Sequence, residues 1–296
     1  MLGLIYSVVT VLAWGTWLAP SQNVPLKGQQ TRTFYVTLAV LGMAAVVAFT
    51  QGVGTLSART FWLPFLGGLI WAASCWSAFI GTSGLGMAKA FGIWAPLNIV
   101  VSIAWGIILF HEFLQTTALN LLLAAASVTV IISGILMIIF SGEGGEAETA
   151  RRFSWRGLAG ALGAGVGFAS YFVPIRISEL TMWVAMLPMA LGMFAGGCLL
   201  VAFSRSPLRL DKGSHYPRLL ATGLLWGVGN YGALKMMEQL GTGRGFTIAQ
   251  LCVVVNALVG IYWLKSPRPG TRAARLTLAG VAVATVGATV LGRLKA

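Results

Sequence analysis

Six uncharged hydrogen-bonding side chains interrupt the apolar runs of this chain: Asn98, Tyr171, Asn230, Tyr231, Gln250 and Asn256. A primary amide donates and accepts at once, which suits hydroxyl groups and carries no preference for charge. Five tryptophans, Trp14, Trp17, Trp71, Trp94 and Trp226, fall deep in the same kind of run. A flat indole face packs against the C–H face of a sugar ring while amides take its hydroxyls. Taken singly, an amide serves as well to bond a neighbouring helix and an indole to fill a gap between helices. It is the clustering of Asn230, Tyr231, Gln250 and Asn256 in two consecutive runs that points to a binding site for a small solute. These eleven residues are the candidate substrate contacts.

Ionisable groups within membrane spans are costly and mark function, and here they are scarce. The acids outside one polar linker are Glu112, Glu179, Asp211 and Glu238, all near the ends of apolar runs. Lys235 and Glu238 are three residues apart, so one helical turn brings them together. Lys89 and Arg244 begin equivalent runs and suit gates or snorkelling cations. Lys89, Glu112, Lys235, Glu238 and Arg244 are therefore the candidate gating or coupling residues, and any proton coupling would run through Glu112 or Glu238. His111 and His215 lie in loops, and Cys75, Cys198 and Cys252 lie inside apolar runs. No convergent acids or metal ligands emerge, so neither a cofactor, a metal nor catalytic residues are expected, and a membrane-embedded transferase is disfavoured.

The elements that must hold these groups are membrane helices. The chain has 296 residues, 57% hydrophobic and only 9% charged, whereas soluble domains carry about 25% charged residues. Ten apolar runs are long enough to span a bilayer: 2–20, 33–51, 60–81, 87–110, 117–140, 155–175, 181–203, 217–238, 245–265 and 273–292. Trp62 and Trp155, near run ends, read as interfacial anchors. The first run lacks a basic leader and a cleavage site and reads as a retained span.

Residues 223–250 repeat residues 68–95 without a gap. Gly68, Leu69 and Trp71 align with Gly223, Leu224 and Trp226, and Leu85-Gly86 aligns with Leu240-Gly241. The first run, WGTWLAP at 14–20, aligns with FASYFVP at 168–174, and Leu41-Gly42-Met43 recurs as Leu191-Gly192-Met193. The polar segment 141–154 cannot bury a core and separates the halves. The expected organisation is a first five-helix repeat over 1–140, a linker over 141–154 and a second repeat over 155–296. An odd number of spans per copy inverts the second copy relative to the first. The fold class is thus an all-α integral membrane protein of ten helices in two inverted five-helix repeats.

Charge supports the inversion. The net charge is +13, and it resides in short loops, as the positive-inside rule requires, rather than in a nucleic-acid face. Fourteen of the 20 Lys and Arg residues flank the face reached after spans one, three, five, seven and nine. That face is expected to be cytoplasmic, with both termini outside. Small residues at intervals of four, Gly157-Ala161-Gly165-Ala169 and Gly280-Ala284-Ala288, predict faces of close helix packing.

The two-times-five pattern resembles the drug/metabolite transporter superfamily, and within it the glucose/ribose porter (sugar uptake) family. LLWGVGN at 224–230 and GFTIAQ at 245–250 resemble that family's W-G-x-G-N and S-F-S-x-S-Q motifs. WGTW at 14–17 resembles its F-W-G-S start, and KGQQTRTF at 27–34 its N-Q-x-x-G-T-T segment. The chain departs at span nine, which ends Lys265-Ser266-Pro267 where the family has Gly-Glu, and at Trp94-Ala95-Pro96-Leu97 in place of Pro-x-Ser-Thr. The resemblance implies a multi-pass plasma-membrane protein that moves a small polar solute, a glucose-like monosaccharide, by alternating access, with spans one, three, four, six, eight and nine lining the path. A second reading stays open: export of amino acids or other metabolites, with the tryptophans serving apolar contact. A third is a non-transporting scaffold or receptor. The lipid bilayer is the expected environment, and oligomeric state and coupling ion are not legible.

Overall fold

The computed structural model describes residues 2–52, 56–111, 117–141, 154–240, 248–249 and 251–294. In those residues the chain forms helices and the turns between them. In order they are α1 (Leu2–Thr16), α2 (Ala19–Gln22), α3 (Gln29–Gln51), α4 (Ala58–Leu85), α5 (Met87–Phe110), α6 (Ala118–Ile139), α7 (Trp155–Ser170), α8 (Phe172–Ile177), α9 (Met182–Ser204), α10 (His215–Leu240), α11 (Cys252–Leu258) and α12 (Arg272–Leu294). A π-helical turn, Val259–Trp263, continues α11. Eight described helices, counting α1 with α2 and α7 with α8 as single spans, are long and apolar enough to cross a bilayer. The 26-residue α10 falls outside that set, and the apolar helix Cys252–Trp263 is shorter.

Two prolines explain why the first helix of each half is interrupted. Pro20 and Pro174 each lack an N–H and crowd the carbonyl four residues back. Those carbonyls belong to Thr16 and Ser170, the last residues of α1 and α7. The chain resumes as the short helices α2 and α8, and the residues at the breaks are Trp17 and Tyr171. Gly86, at φ +81°, joins α4 to α5 in a conformation that only glycine adopts cheaply.

Small-residue faces set how closely the helices approach. A methyl group at Gly157 would lie 2.9 Å from Gly84 Cα, so α4 and α7 touch backbone to backbone. Ala161 and Ala169 on the same face of α7 are fully buried. The α6–α12 pair closes in the same way, Gly134 against Ala284 and Gly280. These are the faces the four-residue spacing predicts. Outward positions are apolar, among them Phe49, Leu122, Phe203 and Val286, and Trp62 and Trp155 are exposed as interfacial anchors should be.

Packing is paired across the halves. Helix α1 lies on α10 as α7 lies on α4, α3 on α10 as α9 on α4, and α3 packs directly on α9. At the crossings, Gly68 of α4 meets the backbone of Met189 and Met193, and Gly223 of α10 meets Val36 and Ala39.

Candidate functional site

One ring contact joins α4 to α10. Trp71 and Trp226, the aligned tryptophans of the two halves, meet there with ring centroids 4.6 Å apart and planes inclined by 59°. Trp71 also touches Phe168 of α7 at 5.9 Å, and Phe168 in turn reaches Trp94 of α5 at 6.3 Å. On the other side, the half-buried Trp14 of α1 donates its indole N–H to the Trp226 carbonyl at 3.3 Å. Close approach of Trp14 to α10 requires Gly229, where a methyl group would lie 2.7 Å from the indole nitrogen. Trp14 and Phe168 are themselves aligned residues, so each half contributes one α4-type tryptophan and one α1-type ring.

Beside this aromatic centre is a small cleft walled by Val40, Met43 and Ala44 of α3, Met186, Met189 and Ala190 of α9, and Trp226, Gly227 and Asn230 of α10. Trp226 and Asn230 are one turn apart, so both reach the same space. Asn230 is 6% exposed, and among the described residues its amide has no hydrogen-bond partner. It is the one amide in the cavity wall, and the walls around it are apolar. A group that offers two donors and an acceptor against apolar walls can bind a hydroxyl group and orient it.

The other candidates divide between this centre and places remote from it. Trp17 is buried against Phe79 at 5.8 Å. Tyr171 stands at the α7–α8 break, edge-on to Phe172. Asn98 accepts a hydrogen bond from Ser102 at 3.1 Å within α5. Tyr231, Lys235 and Glu238 gather around Trp183 of α9. Tyr231 is edge-on to its ring at 5.3 Å, and Lys235 lies over the ring at 4.7 Å while pairing with Glu238 at 3.0 Å. The Trp183 indole N–H donates to the other Glu238 oxygen. Lys89 is half-buried in the first turn of α5. Gln250, Glu112 and Arg244 lie outside the described residues.

Asn256 is fully buried and donates to the Gly15 carbonyl at 3.1 Å, tying α11 to α1 just before its break. Interhelical bonds of this kind contribute about 0.6–1.7 kcal/mol in a bilayer. Asn256→Ala is therefore expected to lower thermal stability by about 1 kcal/mol while leaving solute affinity within a factor of two, readable by melting curves and ligand titration on the same sample.

Sequence reasoning passed over the cavity's methionines, Met43, Met186 and Met189. The repeated Leu-Gly-Met triplets were a signal that α3 and α9 hold equivalent positions. Nothing in an apolar helix says that one of its faces lines a space, because lining and packing faces have the same composition.

Comparison with known proteins places this architecture. The probable glucose uptake protein GlcU of Bacillus cereus is 28% identical over 287 residues, covering 97% of this chain and 95% of that protein. A putative sugar uptake protein of Enterococcus faecalis is 24% identical over 298 residues, covering 100% of both. A solved crystal structure, 17% identical, matches with a TM-score of 0.63 over 98% of this chain and 97% of its own and shares the fold. The family described as "Sugar transport protein" matches residues 4–294. On that match and on its apolar helices, the chain is a multi-pass protein of the plasma membrane and belongs to the sugar transport protein family.

Proposed function

We propose that the chain carries a small polyhydroxylated solute, a glucose-like monosaccharide, across the membrane by alternating access between two inverted five-helix repeats of the drug/metabolite transporter kind. The observation that carries this reading is the amide of Asn230, without a hydrogen-bond partner among the described residues, beside Trp226 in the cleft between α3, α9 and α10. An amide supplies donors and acceptors for hydroxyls, and an indole supplies a face for a sugar ring. The pairing of α1 with α10 and α7 with α4, and the equivalent glycine contacts at Gly68 and Gly223, support the repeat. Support also comes from the relatives named for glucose and sugar uptake. In this reading the Trp71–Trp226 contact parts as one repeat rocks against the other, exposing both indole faces to the path.

The test is counterflow of labelled monosaccharides in proteoliposomes, with unlabelled sugars and amino acids as competitors. Saturable exchange that glucose-like sugars suppress and amino acids do not is the expected result. Suppression by amino acids alone would overturn it in favour of the second reading, export of amino acids or apolar metabolites. That reading draws on the cavity walls, where Val40, Ala44 and three methionines suit an apolar moiety.

Coupling to protons, if it drives uptake, runs through Glu238, which the Lys235 ammonium and the Trp183 indole hold in place. Glu238→Gln is expected to remove the stimulation of uptake by an imposed pH gradient while sparing counterflow. Equal stimulation in variant and wild type would exclude Glu238 from that role.

A further inference from the structure

Eight residues up α3 from the cleft wall at Val40 lies a charge with no counterion among the described residues. Arg32 is 2% exposed, and its Nε and one terminal nitrogen, Nη1, have no hydrogen-bond partner. Its guanidinium stacks on Phe79 of α4, 5.0 Å from the ring centroid. A buried charge is costly unless paired, and a ring face repays only part of that cost. Arg32 is the fourth residue of α3 and Arg218 the fourth residue of α10, and Arg218 donates through Nε to the Pro20 carbonyl at 2.7 Å. The two helix starts lie side by side: Tyr35 meets Tyr216 edge-on at 5.5 Å, and Tyr35 donates to the Leu208 carbonyl at 2.9 Å. Both helices, 23 and 26 residues long, thus direct their positive ends toward the same place. No side chain caps α3 at Gly28. The loops around it add Lys27, Arg205, Arg209 and Lys212, all exposed, against one acid, Asp211.

Other orphaned polar atoms belong to the same end of the bundle. The Ser21 hydroxyl and Gln22 Oε1 of α2 are buried without a partner, as is His215 Nδ1 in the first turn of α10. Gln22 is anchored through its Nε2 to the Thr82 carbonyl, one turn beyond Phe79 on α4. Unused donors on an arginine fork and a hydroxyl, beside unused acceptors, describe a place for a ligand that is anionic and also bears a hydroxyl. We propose that Arg32 anchors an anion site for a phosphate group, between the starts of α3 and α10 on the basic face of the protein. An arginine fork matches two oxygens of such a group, and Ser21 supplies a further donor. The phosphate can be free in solution or borne on an anionic lipid headgroup. The site stands apart from the sugar reading, since it shares no residue with the cavity wall.

The experiment is thermal unfolding of the purified protein in phosphatidylcholine nanodiscs, in phosphate-free buffer, with inorganic phosphate added or with phosphatidylglycerol built into the disc. Phosphate is expected to raise the wild-type melting temperature by several degrees, because a ligand stabilises the state that binds it. Arg32→Gln should abolish that rise and, in phosphate-free buffer, melt at or above wild type, since the variant no longer buries an uncompensated charge. Arg32→Lys, which keeps the charge but loses the fork, should keep a smaller rise. A rise with phosphatidylglycerol but not with free phosphate assigns the group to the lipid. Should Arg32→Gln not be obtained in usable yield, phosphorus NMR of inorganic phosphate with the wild type decides, through line broadening that sulfate reverses. The site is overturned by an equal rise in Arg32→Gln and wild type, by Arg32→Gln melting below wild type without phosphate, or by no response of the wild type to either source. Glucose counterflow can succeed or fail without moving any of these readouts.

Discussion

Gly68→Ala is expected to destabilise the protein by about 3 kcal/mol, the upper part of the range for overpacking a tight interface. The added methyl group would fall inside contact distance of the Met189 carbonyl oxygen and 2.6 Å from the Met193 nitrogen. Both are backbone atoms of α9, so no side-chain rotation relieves the clash. The aligned substitution, Gly223→Ala, would press on the Val36 carbonyl and lie 2.8 Å from Ala39 Cβ. It is expected to cost a similar amount, because the two glycines make the same contact in the two halves. Gly42→Ala and Gly213→Ala are the controls: nothing lies within 4 Å of either methyl position. Melting curves in detergent would sort the four variants into two pairs. If Gly68→Ala melts with the controls, the α4–α9 crossing is not as close as described.

Asn230→Ala is expected to slow monosaccharide counterflow tenfold or more, a loss on the order of 1.4 kcal/mol. Its amide is buried, lines the cavity and makes no hydrogen bond to other described residues. Truncation therefore removes little from the folded protein and much from a bound hydroxyl, which would be left unpaired against Met and Val side chains. The diagnostic pattern is a large transport defect with an unchanged melting temperature, the reverse of that expected for Asn256→Ala. Gln250→Ala is expected to weaken exchange to the same degree. Normal exchange in both variants would remove the amides from the solute path.

Much of this organisation can be read from residue order. Pro20 and Pro174 fall at helix breaks, while Pro64, Pro96 and Pro188 lie inside continuous helices, so a missing N–H allows a break without dictating one. The four-residue spacing of Gly157, Ala161, Gly165 and Ala169 marks a packing face. The Lys235–Glu238 pair follows from helical periodicity alone. Asn256 shows the limit. In sequence it is one more amide among the candidates, and only its placement against Gly15 identifies it as a tether between α11 and α1.

What the sequence determined by itself is the membrane class and the set of uncharged groups available for recognition, since composition and local backbone chemistry suffice for these. The tertiary structure alone decided that Trp71 and Trp226 meet each other, that methionines of α3 and α9 wall the cleft, and that Arg32 is buried with no counterion among the described residues. Each of these joins residues from helices distant in the chain. In a bundle whose lining, packing and lipid faces share one apolar composition, only the crossing of the helices says which face a residue occupies.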